Sequence, residues 1–512
     1  MSNEFEARKL IEDDPELKKE LQEGQDEEVK KKEADMLYDA ITSMDDFEAF
    51  KDQFSTYFVR YSVNSRKEIQ EVSSEEFFDF MYGKLYELMG RLPSVEAVKK
   101  VQQAIRSLIT INKTIHSLYT RVATRGNDLL YDLANQDNEI VEITRDGWRV
   151  IKDNGITFRR ISTQKQQVQP NPDAKIKDIL RLQNYINIPD SQLLLFIVYL
   201  VSCFFAGKFA RPISVFAGEK GGAKSTMTRL VNDLVDPTEA DLLSLPAKED
   251  EFAITLQKHW FAGFDNVSVI SKQQSDWLCK GATGGALEKR KLYTDIGSIV
   301  CKFQSCISIN GVTLPLEADD VLDRALLFDI QRIEPERRKK EEVLWKEFSE
   351  DKPYILGAIF KIISKVLAVD EVPQLDKLTR LADFESKGYV IAQCTGPDNG
   401  KRFREQLRHN AAKQNQEAID NNDTARIVIM ILRGLFKDDE EITMYPKDLY
   451  SKCEPYIKGK IFPKDETRLM KELSKMRSNL ESEKIYFRRE EKDRGGIPYT
   501  FSSKPLPDKT KT

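Results

Sequence analysis

The stretch GEKGGAKST, residues 218–226, has the residue types needed to hold a phosphate. The apolar run PISVFAG precedes it, and MTRLVNDLV follows with the periodicity of a helix. A glycine-rich turn between a strand and a helix presents backbone N–H groups to an anion at the end where the helix dipole favours negative charge. Lys224 would contact β- and γ-phosphate oxygens, and the Ser225 hydroxyl would help to hold Mg²⁺. The residues expected to form this loop are Gly218, Gly221, Gly222, Ala223, Lys224, Ser225 and Thr226.

The loop departs from the pattern G-x-x-x-x-G-K-[ST] at Ala223, which stands where the pattern has its second glycine. A methyl group is unfavourable where the backbone is tight or φ is positive, but Gly221 and Gly222 directly precede it and can adopt the unusual dihedral angles. The Lys-Gly-Gly does not indicate the partition-ATPase variant K-G-G-x-G-K-[ST], because the two lysines are one position too close together. The alternative to a phosphate loop is a glycine-rich turn that binds no nucleotide.

Two further apolar runs end in residues that could complete such a site. KHWFAGFDNVSVI (258–270) predicts a strand ending at Asp265-Asn266, and a carboxylate there can bind the Mg²⁺ of a nucleotide. FQSCISINGV (303–312) predicts a strand ending in Asn310, whose amide could orient the water that attacks the γ-phosphate. An ordinary Asn-Gly turn is the alternative. Ser225 and Asp265 are therefore the expected metal ligands.

A basic segment, LCKGATGGALEKRKLYTD (278–295), lies between these two runs. Its Lys289, Arg290 and Lys291 could sit on a hairpin or loop that touches DNA phosphates, and a solvated surface hairpin is the alternative. Further along, Arg324 precedes an apolar run and could reach the γ-phosphate of a neighbouring subunit as an arginine finger. Otherwise it would pair with one of the nearby aspartates, Asp320 or Asp323. The expected catalytic residues are Lys224, Asp265, Asn266, Asn310 and Arg324.

The composition is that of a soluble chain with several domains. It has 512 residues, of which 40% are hydrophobic and 32% charged, and a net charge of −5. This charge excludes a polycation, so any contact with nucleic acid has to come from local basic surface. The six cysteines form no C-x-x-C pair and only three histidines accompany them, which argues against structural zinc and for reduced thiols in the cytoplasm.

No secretory signal is expected at the amino terminus, since MSNEFEARKL has no apolar core. The apolar stretch LLLFIVYLVSCFFAG (193–207) is shorter than the roughly 20 residues that a membrane span requires. We therefore expect a buried helix there.

Hydrophobic periodicity and turn-forming residues divide the chain into segments. Amphipathic helices are expected from Met36 to about Leu118, followed by a small antiparallel sheet at about 121–160. The alternation of strands and helices from Pro212 to about Ile330 is typical of an α/β domain with a largely parallel sheet. In chain order, we expect a charged, flexible tail (1–35), a helical and β domain (36–165), a P-loop ATPase domain with preceding helices (176–370), a helical lid or linker (371–420) and a terminal domain (424–505).

The terminal domain has the element order of a winged helix: three helices and then two strands around a Gly-Gly turn. Its third helix (464–481) could lie on DNA, with Leu469, Leu473, Met476 and Leu480 facing the core. Use of the domain for protein contact or ring packing is the alternative, because several glutamates dilute its charge. The basic residues expected to contact DNA here are Lys471, Lys475, Arg488 and Arg489.

The order of these motifs resembles that of superfamily 3 helicases of the AAA+ class. More narrowly, it resembles the helicase part of poxvirus-type primase-helicases and related ATPases of phages, plasmids and other mobile elements. The resemblance spans roughly residues 75–505 and includes TRVATRGNDLLYDL, ITRDGWRVI, LCKGATGG, SINGV, LDRAL and RLADF. It implies an AAA+ core, ATP and Mg²⁺ bound between the subunits of a hexameric ring, and single-stranded DNA through the centre of that ring.

The resemblance thus implies an ATP-dependent DNA helicase or translocase that acts in the replication of a mobile element, with a primase or polymerase as a possible partner. Asn266 departs from it, because many AAA+ proteins have there a carboxylate that acts as the base for water. Glu249 and Glu251 are the nearest other acids in sequence. An ATP-gated replication initiator that binds duplex DNA at the winged helix without robust unwinding is the alternative. An ATPase that remodels proteins is a third reading.

Overall fold

The computed structural model forms two compact units, each with its own secondary structure. Unit 1 comprises the described residues within Met1–Thr144, Trp148–Gln169 and Ala286–Lys302, and unit 2 those within Arg145–Gly147, Pro170–Gly285 and Phe303–Thr512. Most of the predicted tail, 1–31, lies outside the described residues. The structure describes residues 32–63, 66–152, 157–206, 209–219, 221–290, 298–302, 305–311, 319–334, 336, 338–437 and 439–507.

The described part of unit 1 begins with a helical segment, residues 32–42, followed by an antiparallel sheet, β1-β2-β3, that two longer helices cover. Each of the two longer helices has an apolar stripe at spacings of three and four residues, such as Phe77, Met81 and Leu85 on the first of them. These side chains share a core with Val59 and Tyr61 of the central strand. The elements are β1 (Glu48–Lys51), β2 (Tyr57–Val63), β3 (Arg66–Glu71), α1 (Glu75–Met89) and α2 (Val95–Asn112).

The strands between residues 48 and 71 correct the expectation that helices alone fill the segment from Met36 to Leu118. β3, RKEIQE, contains a single apolar residue, Ile69, so its sequence lacks the alternation that marks a half-buried strand. It is a strand because β2 supplies its ladder of hydrogen-bonding partners. Pairing with β2, and not the local sequence pattern, therefore makes this segment a strand.

A second antiparallel sheet, of order β4-β5-β6-β7, lies where the alternation at 121–160 predicts one. It consists of β4 (Val122–Arg125), β5 (Asp128–Asp132), β6 (Glu139–Thr144) and β7 (Gly147–Lys152). Farther along the chain, β10 (Ala286–Arg290) and β11 (Ser298–Lys302) pair as an antiparallel hairpin, one of the two forms expected for the basic segment.

The core of unit 2 is a fully parallel four-stranded sheet of order β13-β8-β12-β9. All positions of β9 and β12 are buried, as in parallel sheets covered on both faces. Because the strands are parallel, the segments that follow β8, β9 and β12 all leave from one edge of the sheet. The strands are β8 (Ile213–Ala217), β9 (Phe261–Phe264), β12 (Cys306–Gly311) and β13 (Ala325–Asp329).

Helices surround this sheet. The apolar stretch at 193–207 gives the buried helix that was predicted, and no helix among the described residues is long and apolar enough to cross a membrane. The helical elements are a 3-10 helix (Ile176–Asn184), α3 (Asp190–Ser202), α4 (Lys224–Val235), α5 (Glu249–Lys258), α6 (Lys272–Thr283), α7 (Asp319–Leu322), α8 (Glu341–Leu367), α9 (Ala382–Thr395) and α10 (Asn399–Asp420).

The carboxyl-terminal part of unit 2 has its own apolar core. Leu469, Leu473, Met476 and Leu480 are buried in it, as predicted. The expected single helix at 464–481 is two helices, because the backbone at Met476 leaves the helical region. The elements are α11 (Asp423–Leu435), β14 (Glu441–Met444), α12 (Pro446–Cys453), α13 (Glu466–Lys475), α14 (Arg477–Ser482), β15 (Tyr486–Arg489) and β16 (Tyr499–Ser502), and the strands form an antiparallel sheet of order β14-β16-β15.

Candidate nucleotide-binding site

The glycine-rich loop joins the carboxyl end of β8 to the amino end of α4, as its flanking sequence predicts. Ala223 is the residue before the helix and has φ 63° and ψ 31°, in the left-handed region. Its side chain has no polar atom to cap the helix, whose first N–H groups have no partners within the helix itself. The positive end of α4, beginning at Lys224, therefore points toward the loop.

The loop lies directly on the backbone that follows β13. A Cβ atom on Gly218 would be 2.3 Å from the carbonyl oxygen of Ile330, which is too close for any side chain. A Cβ on Gly222 would lie 3.3 Å from the same oxygen and from that of Gln331. Gly218 is thus required by the close approach of main chain to main chain, and Gly222 lies in a tighter contact than most side chains have.

Lys224 lies at the first position of α4 and folds back over the loop. Its ammonium group donates hydrogen bonds to the carbonyl oxygens of Gly218, at 2.7 Å, and Glu219, at 2.9 Å. Partial burial lowers the pKa of Lys224, and the nearby Asp265 carboxylate acts in the opposite direction. The cation is thus held at the mouth of the loop by acceptors that a phosphate oxygen could replace.

Ser225 and Asp265 are brought together although they are far apart in sequence. The Ser225 hydroxyl donates to the Asp265 carboxylate, with 2.7 Å between the two oxygens. Asp265 directly follows β9, and Ser225 is the second residue of α4. A hydroxyl and a carboxylate are hard oxygen ligands of the kind that Mg²⁺ takes, together with water and substrate phosphates.

This pair of side chains suits a metal ion whose other ligands come from a nucleotide and water. In the described part of the chain, no group of three or more His, Cys, Asp or Glu side chains is arranged to hold a metal without other ligands. Two protein oxygens beside a phosphate-binding turn leave coordination positions for phosphate and water. Ser225 and Asp265 are the residues that would hold Mg²⁺, which would neutralise phosphate charge there.

Asn310 lies one residue before the end of β12 and is buried, with both ends of its amide occupied. Its nitrogen donates to the Thr228 hydroxyl of α4, at 2.9 Å, and its oxygen accepts from the backbone N–H of Asn266, also at 2.9 Å. The backbone of Asn310 also accepts from Val267. The structure thus places Asn310 at the same edge as Asp265, where it joins α4 to the end of β9.

Thr228 received no role from the sequence. It lies one helical turn after Lys224, a spacing that puts both on one face of α4, and this periodicity is the signal that could have identified it. Thr226, a predicted loop residue, is half-buried in the first turn of the same helix.

Asn266 is exposed and has a φ of 53°, a conformation that asparagine adopts more readily than most residues. The two acids considered as substitutes for a base have other partners: Glu249 pairs with Lys280 at 3.5 Å and Glu251 with Lys248 at 3.2 Å. Neither of these two acids is thus positioned as a base at Asn266.

Arg324 lies at the opposite edge of the sheet from the loop. It directly precedes β13, which runs parallel to β8, and its carbonyl accepts from Ile213 at the start of β8. Its guanidinium donates to the Asp320 carbonyl oxygen at 2.8 Å. Asp323, one of the two aspartates considered as its partner, forms an ion pair with Arg380 instead. The Arg324 side chain is therefore remote from the loop of its own chain.

The predicted DNA contacts fall into two groups. Lys289 and Arg290 lie on β10 of the hairpin, and Lys291 lies outside the described residues. In the carboxyl-terminal part, Lys471 and Arg489 are exposed.

The other two basic residues of that part have acidic neighbours. Lys475 pairs with Glu472 at 3.0 Å, and Arg488 pairs with Glu490 at 2.8 Å while donating to the Pro507 carbonyl. Arg488 is thus occupied within its own domain.

Two cavities of unit 2 differ in their relation to these residues. A cleft of about 430 Å³ adjoins the site and is lined by Asp265, Asn266 and residues 242–245. A larger cavity, of about 910 Å³, lies between the 3-10 helix, α3 and the turn from α9 to α10, and none of the predicted site residues lines it. We place the candidate site at the glycine-rich loop beside the smaller cleft, since Asp265 lines that cleft and contacts Ser225.

Residues 176–408 match the model of a family described as an actinomycete integrative conjugative element replication protein. This segment contains the loop, Asp265, Asn310 and Arg324. Among curated proteins, none matches the chain.

Solved structures of NrS-1 are similar over most of the chain. The apo structure of its C-terminal region (305–718) has 13% identity and a TM-score of 0.40, over 92% of this chain and 98% of that one. An A-form apo structure of the same region has 12% identity and a TM-score of 0.40, over 91% and 98%. At these scores the likeness establishes neither a shared topology nor a shared activity.

Proposed function

We propose that this protein is an ATP-dependent, ring-forming DNA helicase or translocase that acts in the replication of a mobile genetic element. The observation that supports it best is the contact between the Ser225 hydroxyl and the Asp265 carboxylate, whose oxygens are 2.7 Å apart. Lys224 lies beside this pair, directly after the glycine-rich loop. Binding of a magnesium nucleotide needs this combination of cation, hydroxyl, carboxylate and free helix N-terminus. The match of 176–408 to a replication protein family supports the biological role.

In this proposal each residue has a defined task. Lys224 leaves the loop carbonyls and binds β- and γ-phosphate oxygens, while the loop N–H groups surround them. Ser225 and Asp265 hold Mg²⁺. Arg324, which faces away from its own loop, serves the nucleotide of a neighbouring subunit. Asn310 fixes the edge of the sheet on which Asp265 lies.

The proposed domains follow the same logic. The parallel sheet with α3 to α8 is an AAA+ core, and α9 and α10 form a helical lid or linker. The carboxyl-terminal helices and three-stranded sheet are a winged helix that contacts DNA. The basic segment with Lys289 and Arg290 of β10, and Lys291 after them in sequence, contacts single-stranded DNA in the central channel. Clustered cations on a surface of low overall charge suit phosphate contacts.

The proposal is tested by measuring ATP hydrolysis with and without single-stranded DNA. Wild-type protein should hydrolyse ATP faster when DNA is present. Lys224→Ala should lose about 100-fold or more of that activity, since a charge facing the transferring phosphoryl group is removed. Lys272→Ala is the matched control, because Lys272 is an exposed lysine that begins another helix of the same unit, α6.

Strand separation with one polarity, measured on forked substrates, would identify a helicase. Wild-type ATP hydrolysis that DNA does not change would refute a translocase, and absence of nucleotide binding would refute the whole proposal.

A second function, an ATP-gated replication initiator, is favoured by Asn266. An amide cannot accept a proton from water, and the acids near it in sequence are paired elsewhere. Such a protein would bind ATP tightly, hydrolyse it slowly and assemble on one duplex sequence. Footprinting of a specific duplex by wild-type protein, without unwinding, would select this function over the first.

A further inference from the structure

Thr228 is a fully buried residue of α4 whose hydroxyl is used twice. It donates to the carbonyl oxygen of Lys224, at 3.2 Å, and accepts from the Asn310 amide nitrogen, at 2.9 Å. A threonine in a helix often bonds only to its own preceding turn. Here the second bond leaves the helix and ends on a neighbouring strand.

The Asn310 amide continues the connection. Its oxygen accepts from the backbone N–H of Asn266, the residue directly after Asp265. The Thr228 hydroxyl is therefore linked through one buried amide to the backbone beside the metal-binding carboxylate. We call Thr228, Asn310 and the Asn266 N–H the threonine relay.

The methyl group of Thr228 is accommodated by a gap in β9. A Cβ on Gly263 would lie 2.5 Å from the Thr228 methyl carbon, so glycine is the residue that leaves room for it. Gly263 lies two positions before Asp265. The Thr228 methyl group thus packs against β9, the strand that precedes Asp265, while the hydroxyl bonds to Asn310 of β12.

We infer that Thr228 is a positioning residue for ATP hydrolysis, which holds Asp265 at the correct distance from Ser225 through the threonine relay. The direct contact between Ser225 and Asp265 is one link between α4 and the end of β9. If Ser225 and Asp265 held Mg²⁺, their two oxygens would no longer need to contact each other directly. The threonine relay would still join α4 to the backbone beside Asp265. Residues that orient metal ligands typically affect activity 10- to 100-fold. This inference rests on the function proposed above.

The test compares Thr228→Val, which keeps the shape and loses the hydroxyl, with Thr228→Ser, which keeps the hydroxyl. Ser308→Ala is the matched control, since Ser308 is a buried residue of β12 whose hydroxyl has no hydrogen-bond partner among the described residues. For Thr228→Val we expect kcat to fall about 10-fold, with KM for ATP within about twofold of wild type. The Mg²⁺ concentration for half-maximal activity should rise, and the serine variant should recover most of kcat.

Amide hydrogen exchange at Asn266 and Val267 provides a readout that needs no activity. It should be faster in Thr228→Val than in wild type, Thr228→Ser and Ser308→Ala. Unchanged exchange would show that the relay is absent and overturn the inference. Faster exchange with kcat and Mg²⁺ dependence unchanged, in an active wild type, would reduce Thr228 to a purely structural residue and also overturn it.

Failure of the proposed function can be distinguished from failure of the inference about Thr228. If wild-type protein does not hydrolyse ATP at all, there is no reaction for Thr228 to support and the positioning role falls with it. The exchange comparison then still decides whether the threonine relay exists in the folded protein.

Discussion

Ala223 shows how the glycine-rich loop forms with an alanine where the phosphate-binding pattern has a glycine. Its φ of 63° costs an L-residue with a Cβ about 1–2 kcal/mol, and the flanking structure maintains it. We therefore expect Ala223→Gly to increase the free energy of unfolding by about 1 kcal/mol, after the greater flexibility of the unfolded glycine is allowed for. Urea unfolding of both proteins measures the difference.

Gly221→Ala is the control for this prediction. Gly221 has a φ of 85°, and nothing lies within 4 Å of where its Cβ would be, so the substitution introduces backbone strain without a clash. It should destabilise the protein, opposite in sign to Ala223→Gly. Two changes of the same sign would show that backbone conformation is not what determines stability in this loop.

At the scale of residues, sequence identifies the groups with chemistry and misses the groups that support them. Lys224, Ser225 and Asp265 are recognisable because each is a reactive type beside an apolar strand or a glycine turn. The Asn310 amide bonds to Thr228, 82 residues away in the sequence. Neither residue type nor local spacing predicts that pairing, because it exists only once β12 has been placed between β8 and β9.

At the scale of elements, predictability follows how completely an element is buried. β8, β9 and β12 are buried on both faces and read as apolar runs, and the antiparallel sheet at 121–160 shows alternation. The sheet of β1 to β3 is missed because charged β3 is a strand only by virtue of its pairing with β2. The predicted domain boundaries remain predictions.

The carboxyl-terminal domain provides an element-scale prediction about DNA. If it is a winged helix on DNA, the double variant Lys471→Glu/Arg489→Glu should weaken binding, since these exposed cations would contact phosphates. The slope of log affinity against log salt should decrease in magnitude by about 1.5 to 2, one counterion for each lost contact. Fluorescence anisotropy of a labelled oligonucleotide, measured over a salt series, gives both quantities.

Charge reversal by itself must be separated from loss of a contact. Lys99→Glu/Lys100→Glu makes the same change of charge at two exposed lysines on α2, in unit 1. An equal decrease of affinity and slope in this control would indicate a general field effect and contradict a DNA-binding surface on the carboxyl-terminal domain.

At the scale of the whole molecule, the two edges of the parallel sheet separate the parts of the proposed active site. Lys224 follows the carboxyl end of β8, whereas Arg324 precedes the adjacent β13 at its amino end. Since one five-residue strand spans roughly 16 Å, Arg324 cannot serve the loop of its own chain without a rearrangement of the sheet. An arginine finger here has to act in trans, which requires a head-to-tail contact between subunits of the kind that builds rings or filaments.

Mixing two inactive variants tests action in trans. Lys224→Ala removes the phosphate-binding cation and Arg324→Ala removes the finger, so each protein alone should lack DNA-stimulated ATP hydrolysis. In a random mixture of equal amounts, about one interface in four joins an intact Lys224 to an intact Arg324. Activity should therefore return to a substantial fraction of the wild-type rate, in complexes whose mass, measured with ATP and single-stranded DNA, is that of a hexamer. A mixture as inactive as its components, in complexes shown to exchange subunits, would contradict a finger supplied by the neighbouring subunit and leave Arg324 with its hydrogen bond to Asp320.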